Sequence, residues 1–227
     1  MNTIRVLVAN RPRLMRELVI ATISDQPDIE VIGEADNGRQ AVEMAARLNP
    51  DVVVMDIAMP LLNGLEATRQ ILKSNPATKI FILSAHGDDA YVAQAMSIGA
   101  SGFLIKQTAA HVLPVAIRQI HKGSEFYSPA ISKRLVQQQT GARLRGDKRT
   151  NESMTRLSSR EMEVIQLIAE GKANKQIAGE LHISIKTVEK HRQSLMEKLN
   201  IHDTAGLTRH AIAAGIIESS IQVTIIE

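Results

Sequence analysis

Short apolar runs alternate with amphipathic stretches along the first 125 residues of the chain. The runs are aliphatic or β-branched and end at turn residues, which is typical of strands; they cover 4–9, 29–35, 52–56, 80–84 and 102–106. The stretches between them carry apolar residues at helical spacing, near 12–25, 38–48, 64–74, 88–98 and 109–122. Five strand–helix units in succession predict a doubly wound α/β domain, with a five-stranded parallel sheet covered on both faces.

A linker is predicted after this domain. Residues 137–156 are polar, include two glycines and lack an apolar period, so we interpret 126–154 as a linker. Ser128 as a cap and Pro129 as a first helical residue predict a short helix near its start. Pro114 lies inside the preceding helical pattern and predicts a kink or a late start of that helix.

The remaining chain has helical periodicity and predicts an all-α, four-helix domain over 155–217. The first expected helix opens with the capping box of Ser158 and Glu161, runs to Glu170 and is closed by Gly171. The second is capped by Asn174 and runs to Leu181, and the third is capped by Ser184 and runs to Leu199. The last is capped by Thr204, runs to Ala214 and is closed by Gly215. The tail, 218–227, alternates apolar and polar residues over 221–224, a pattern that fits an edge strand or a frayed end.

Charge divides the chain at the same place. The formal net charge of +3 is the sum of −1 over residues 1–125 and +4 over residues 126–227. A basic second half favours a nucleic-acid partner, although a solvated basic surface explains the charge equally well. Aromatic residues are only 2% of the chain and Trp is absent, which argues against proteins that stack single-stranded bases.

Composition also narrows the chemistry. The chain has no cysteine, which excludes disulfides, thiol nucleophiles and iron–sulfur clusters and fits a reducing compartment. The seven histidines show no metal-ligand spacing. No apolar run approaches the roughly 18 residues of a membrane span, and the amino terminus lacks a signal pattern. We therefore expect a soluble, cytoplasmic protein without a metal site.

Segments 174–181 and 185–199, joined by a tight turn, have the proportions of a helix-turn-helix. Their apolar residues form one small core, and the second helix presents a polar, basic face. Such a helix is about 22 Å long and fits a major groove about 12 Å wide. A four-helix domain used only for protein contacts is the alternative.

The same region resembles the LuxR-type helix-turn-helix DNA-binding domain. The resemblance rests on Leu157-Ser-Ser-Arg-Glu-Met-Glu-Val-Ile, Glu170-Gly-Lys-Ala-Asn-Lys-Gln-Ile-Ala and Ile183-Ser-Ile-Lys-Thr-Val-Glu-Lys-His-Arg. It implies that the third helix enters the major groove and that the last helix supports a homodimer, which would bind symmetric half-sites. The implied DNA-binding residues are Lys186, Thr187, Val188, Lys190, His191, Arg192, Asn174 and Lys175. Glu189 is a departure, since many family members carry lysine there.

In the first domain, polar residues follow the strands at one edge of the sheet. Asn10 and Arg11 follow the first strand, Asp56 ends the third, Ser84 ends the fourth and Lys106 ends the fifth. The carboxyl ends of parallel strands are where doubly wound proteins place their sites. A carboxylate, a hydroxyl and an ammonium together suit a phosphoryl acceptor, with Asp56 as nucleophile.

This set resembles the flavodoxin-like receiver domain of bacterial response regulators. The motifs are Pro50-Asp-Val-Val-Val-Met-Asp56, Met59-Pro60-Leu-Leu-Asn-Gly64, Leu83-Ser84-Ala85 and Gly102-Phe-Leu-Ile-Lys106. With the LuxR-type module, the chain is similar to the NarL/FixJ class of transcription regulators, with a receiver over 1–125. The resemblance implies that Asp56 accepts phosphate from a sensor histidine kinase and that Phe103 occupies the aromatic switch position.

One departure affects the predicted chemistry of the receiver. Receivers place two adjacent acids after the first strand to hold Mg²⁺, whereas this chain has Asn10 and Arg11. Mg²⁺ is usually held through carboxylates, so we expect its binding to be weak or absent. Arg11 could instead pair with Asp56, lower its pKa and replace the charge of the metal. The sequence therefore predicts an atypical receiver, controlled without the usual Mg²⁺-dependent phosphorylation.

Three alternatives stay open. Asp56, Ser84 and Lys106 are all present, so a conventional regulator phosphorylated on Asp56 is one of them. A second is a buried pair of Asp56 and Lys106 that serves only the fold. A third is a protein-binding adaptor without DNA binding. An enzyme is disfavoured, because this edge of the sheet lacks a second carboxylate, a thiol or a glycine-rich cofactor loop.

Overall fold

The computed structural model describes residues 3–85, 89–128, 131–132 and 157–217. The chain forms two compact units, Met1–Asp147 and Lys148–Glu227. Most of the predicted linker, including Pro129, and the whole of the 218–227 tail lie outside the described residues.

The first unit contains a parallel sheet. Its strands are β1 (Ile4–Ala9), β2 (Ile29–Ala35), β3 (Val52–Asp56), β4 (Lys79–Ser84), β5 (Gly102–Ile105) and β6 (Phe126–Tyr127). They lie in the order β2-β1-β3-β4-β5-β6, and each pairs in parallel with its neighbour. The flavodoxin-like sheet is confirmed, but it has six strands instead of the predicted five. The two-residue β6 is too short to produce a detectable period, and it extends the unit into the predicted linker.

Five helices of this unit cover the sheet. They are α1 (Arg13–Ser24), α2 (Gly38–Leu48), α3 (Gly64–Ser74), α4 (Asp89–Ser97) and α5 (Ala109–His121). Asn37 and Asn63 cap α2 and α3 by accepting hydrogen bonds from the backbone N–H groups of Gln40 and Glu66, both at 2.9 Å. The helix α5 begins well before Pro114, after a short 3₁₀ turn, so of the two alternatives for Pro114 the late start is wrong and the kink stays a prediction.

Two apolar layers lie on opposite faces of the sheet. One contains α1 and α5, represented by Ile23 and Ile117, and the other contains α2, α3 and α4, represented by Ala45, Ile71 and Val92. Because both faces are covered, the central strand β3 is buried along its whole length. Asp56, its last residue, is therefore buried at the carboxyl edge of the sheet.

The second unit is helical: α6 (Ser159–Ala169), α7 (Asn174–Leu181), α8 (Ile185–Leu199) and α9 (Thr204–Ala213). The predicted capping box of Ser158 and Glu161 is present. Two predicted caps are wrong by one residue. Ala173, not Asn174, precedes α7, where the Gln176 side chain accepts a bond from the Ala173 N–H at 2.8 Å. Asp203, not Thr204, caps α9 by accepting from the Gly206 N–H at 2.7 Å.

A small core joins these four helices. Its fully buried side chains include Val164, Ile165 and Leu167 of α6, Ile177 of α7, Val188 and Leu195 of α8, and Leu207 and Ala211 of α9. Within the described ranges, every helix is too short or too polar to cross a membrane.

Candidate functional site

The strand register brings the predicted receiver residues to one edge. Ala9 of β1 pairs with Met55 of β3, so Asn10 and Asp56 follow at the same level. Ser84 of β4 pairs with Ile105 of β5, which places Lys106 next to it. The chain order reverses between β1 and β3, the type of position where doubly wound folds bind their ligands.

Asp56 and Lys106 form a buried ion pair. The Nζ of Lys106 lies 2.7 Å from Oδ2 of Asp56, and the two side chains are 12% and 1% exposed. Two backbone N–H groups also donate to the carboxylate, from Arg11 to Oδ2 and from Ala58 to Oδ1, both at 3.3 Å. Both carboxylate oxygens therefore already accept hydrogen bonds.

Burial raises the pKa of Asp56 above its usual value, because the charged form loses its hydration. The Lys106 ammonium and the two backbone N–H groups act in the opposite direction and lower that pKa. Lys106 and the two backbone N–H groups thus offset part of the cost of burying this carboxylate.

The predicted pairing of Arg11 with Asp56 is wrong. The Arg11 side chain is exposed, and its contact with Asp56 is made through the backbone N–H. Lys106 occupies the position of the counter-charge instead. A long side chain at the surface gains more from hydration than from entering a site that already holds one cation.

Asn10 is the unusual member of the site. Its side chain is fully buried, and neither its amide oxygen nor its amide nitrogen has a hydrogen-bond partner. A buried amide without partners costs about 1–3 kcal/mol. Its backbone is fixed, since its N–H donates to Ala35 and its carbonyl accepts from Nη1 of Arg16.

The side chains of Asn10, Arg11 and Asp56 form a poor binding site for Mg²⁺. The buried Asn10 amide offers one spare neutral oxygen, but the residue after it contributes an exposed guanidinium instead of a carboxylate. The Asp56 carboxylate already accepts three hydrogen bonds, one of them from an ammonium. In the described part of the chain, no group of three or more His, Cys, Asp or Glu side chains is placed to hold a metal. Mg²⁺ requires several oxygen ligands in near-octahedral geometry.

The surrounding residues shape the site. The backbone of α3 passes so close to β3 that a Cβ at Gly64 would lie 1.9 Å from the Asp56 carbonyl oxygen. Ser84 is 2% exposed at the end of β4. Phe103 is fully buried in β5, at the level of Ile82.

In the second unit, the helix α8 presents an exposed stripe. Ser184 caps the helix by accepting from the Thr187 N–H at 3.1 Å, and Val188 and Leu195 anchor it in the core. Five exposed residues recur at helical spacing on the side of α8 away from that core: Lys186, Glu189, Lys190, Gln193 and Glu197. We call these five residues the α8 stripe.

The α8 stripe differs from the predicted DNA-binding set. Val188 is fully buried, so it supports the helix from within and offers no surface to a ligand. Thr187 is half-buried, and its hydroxyl lies 2.8 Å from the hydroxyl of Ser184. Glu189 was noted only as a departure from the family, and Gln193 was missed, although it lies five residues after the core residue Val188 and therefore on the opposite side of the helix.

Arg192 and Asn174, both predicted to contact DNA, contact each other. Nη1 of Arg192 donates to the Asn174 side-chain oxygen at 3.2 Å, and Nη2 donates to the Thr204 hydroxyl at 3.0 Å. Arg192 therefore connects α8 to the first residues of α7 and α9. Lys175 is exposed and His191 is half-buried.

Glu161 connects α6 to α8. Its carboxylate accepts hydrogen bonds from Ser194 and Lys198 of α8, both at 2.7 Å, and from the Ser158 N–H, also at 2.7 Å. Burial alone would raise its pKa, but these donors outweigh it and hold the pKa of Glu161 at about 2. The position of α8 is thus fixed from one flank by Glu161 and from another by Arg192.

Comparison with known proteins identifies both units. Residues 6–118 match the response regulator receiver domain, and residues 155–211 match the bacterial regulatory proteins of the luxR family. The relatives are similar over nearly the full chain. LiaR, a transcriptional regulatory protein of Bacillus subtilis, is 38% identical over 88% of this chain and 92% of its own. This chain belongs to the LuxR-family response regulators.

Two further similar proteins support this assignment. The transcriptional regulatory protein DegU of Brevibacillus brevis is 31% identical over 96% of both chains. A solved structure of the RcsB response regulator of Salmonella typhimurium is 26% identical, with a TM-score of 0.57, over 94% of this chain and all of that one. The predicted combination of a receiver with a LuxR-type DNA-binding domain is confirmed. Transcription regulation through DNA is the function of this class.

Proposed function

We propose that this regulator binds duplex DNA in a sequence-specific manner by inserting α8 into the major groove. The observation that carries the proposal is the α8 stripe, an exposed face on a capped helix that is anchored on both flanks. Lys186 and Lys190 lie on it, and no described residue binds either ammonium. Free cations on a groove-sized helix suit phosphate contacts, and the polar groups between them suit base edges.

The test is the affinity for duplex DNA as a function of salt concentration. We expect the logarithm of the binding constant to fall linearly with the logarithm of salt concentration. Replacing Lys186 and Lys190 together by Met should weaken binding and reduce that slope, while the same change at the exposed Lys73 of α3 should leave both unchanged. No binding at low salt would contradict the proposal and favour a protein-binding adaptor.

We expect the protein to bind as a homodimer on symmetric half-sites. The helix α9, which the LuxR-type resemblance assigns to dimerisation, carries Ile212 with 39% of its surface exposed. In a dimer formed through α9, Ile212 would supply an apolar contact with the second copy. Sedimentation of the DNA complex should give two protein chains per palindromic site, and Ile212→Asp should reduce this to one.

The receiver, in this proposal, controls DNA binding without Mg²⁺-dependent phosphorylation. Two features support it: Asn10 and Arg11 stand where receivers carry the metal-binding acids, and the Asp56 carboxylate already accepts three hydrogen bonds. Without a metal, the charge that develops during phosphoryl transfer loses its main stabiliser. A change in the dimer or another ligand would then set the state of the receiver.

Beryllium fluoride, which mimics a phosphoryl group on a carboxylate, tests this part. We expect no Mg²⁺-dependent binding at Asp56 in the wild-type protein, monitored by ¹⁹F NMR. Replacing Asn10 and Arg11 together by Asp should create binding, because it restores two carboxylates next to Asp56. Tight Mg²⁺-dependent binding by the wild-type protein would contradict the proposal.

A conventional regulator, phosphorylated on Asp56 by a sensor histidine kinase, is the second candidate. The observation that favours it is that Asp56, Ser84 and Lys106 meet at one edge while the Arg11 side chain stays outside. The beryllium fluoride experiment separates the two candidates, since this one requires binding by the wild-type protein.

A further inference from the structure

The carboxylate of Glu189 stands out on the α8 stripe. It is exposed and lies between Lys186 and Lys190 in the chain, on the face that would meet the polyanion. A negative charge there repels phosphates and weakens DNA binding unless it makes a compensating contact.

Glu189 also differs from the other acids of α6 and α8. Glu161 and Glu163 of α6 and Glu197 of α8 all accept hydrogen bonds from neighbouring side chains. No described residue donates to the Glu189 carboxylate, although Lys186 precedes it by three positions on the same helix. The carboxylate is therefore available to a ligand outside the protein.

We propose that Glu189 reads a cytosine in the major groove, and that it sets the base preference at one position of each half-site. This proposal rests on the docking of α8 described above. A carboxylate only accepts hydrogen bonds, so it needs a donor on a base edge, and the major groove offers two, the N4 amino group of cytosine and the N6 amino group of adenine.

Cytosine fits better than adenine. The adenine amino group lies beside the N7 atom, an acceptor that would face the second oxygen of the carboxylate. Guanine and thymine present acceptors where Glu189 would need a donor. Lys186 and Lys190, which flank Glu189 on the α8 stripe, are placed to contact the phosphates on either side of the base that Glu189 reads.

The experiment is selection of bound duplexes from a randomised library by the full chain, followed by affinity measurements on single-base variants of the selected site. We expect the wild-type protein to prefer cytosine at one position per half-site, by about tenfold over the other bases. Glu189→Ala should abolish that preference while raising the affinity for unrelated DNA. Glu189→Gln should move the preference to adenine, because an amide can donate to N7 and accept from N6.

Glu180→Gln is the matched control, because it removes the same charge from α7, where no described residue donates to Glu180. We expect it to raise the affinity for all duplexes without changing any base preference. If the Glu189 variants behave like this control, Glu189 acts only through its charge and the proposal is wrong. If the wild-type protein binds no duplex, the docking of α8 fails and this inference fails with it.

Discussion

Asp56 and Lys106 form a buried ion pair, so removing one partner leaves the charge of the other buried without compensation. Lys106→Met would leave the carboxylate with two long backbone hydrogen bonds, so we expect it to destabilise the receiver by about 3 kcal/mol. Asp56→Asn combined with Lys106→Met should cost about 1 kcal/mol or less, because it removes both charges. Both tyrosines of the chain, Tyr91 and Tyr127, lie in the first unit, so tyrosine fluorescence during urea unfolding reports on that unit. A loss in the double variant equal to the sum of the losses in Lys106→Met alone and Asp56→Asn alone would show that the pair is not coupled.

At the residue scale, the sequence predicted which side chains gather at the receiver edge but not all of their contacts. Asp56 and Lys106 follow from the strand register, since residues that end neighbouring parallel strands meet. The partner of Asp56 does not follow, because Arg11 and Lys106 can both supply a positive charge. Burial decides between them, and burial depends on packing that a local pattern does not contain.

At the element scale, the position of α8 depends on the buried carboxylate of Glu161. Its folded pKa of about 2 lies below the ordinary value of 4.5, so the stabilisation is fully present above pH 4.5 and is lost as the pH falls toward 2. The contribution is about 3 kcal/mol at most. In denaturant unfolding followed by circular dichroism, the wild-type protein should lose stability between pH 5 and about 3. Glu161→Gln should start less stable and lose less over that range; the same pH dependence in both proteins would contradict this role.

The role of Arg192 is also decided at this scale. The LuxR-type resemblance implies that Arg192 contacts DNA, whereas the structure shows hydrogen bonds from its guanidinium to Asn174 and Thr204. We therefore expect Arg192→Met to weaken DNA binding without changing its salt dependence, because the variant loosens α8 but removes no phosphate contact. Lys190→Met, on the α8 stripe, should reduce the slope by about one per bound subunit. If Arg192→Met reduces the slope equally, Arg192 contacts phosphate after all.

The elements themselves were largely predictable. Long runs such as β1 and α3 carry a clear period and strong caps, and their bounds match the prediction. The sequence missed β6, because two residues cannot show a period. It placed the caps of α7 and α9 one residue late because Asn174 and Thr204 are also good caps, and only the backbone geometry shows which residue precedes the helix.

At the scale of the whole molecule, the two parts of the chain differ in net charge and in where their charged side chains lie. Residues 1–125 carry a formal net charge of −1 and bury the ion pair of Asp56 and Lys106, whereas residues 126–227 carry +4 and expose Lys186 and Lys190 on α8. We expect the second unit to bind the DNA, and we expect its affinity not to change when Mg²⁺ and a phosphoryl mimic on Asp56 are present.

The most direct test is the affinity of the full chain for its selected duplex, measured with and without beryllium fluoride and Mg²⁺. We predict that the wild-type affinity is unchanged by these additions, because Asn10 and Arg11 do not hold the metal. The variant with Asp at both positions should respond to them. A Mg²⁺-dependent change in the affinity of the wild-type protein, lost in Asp56→Asn, would contradict the account and establish conventional phosphorylation control.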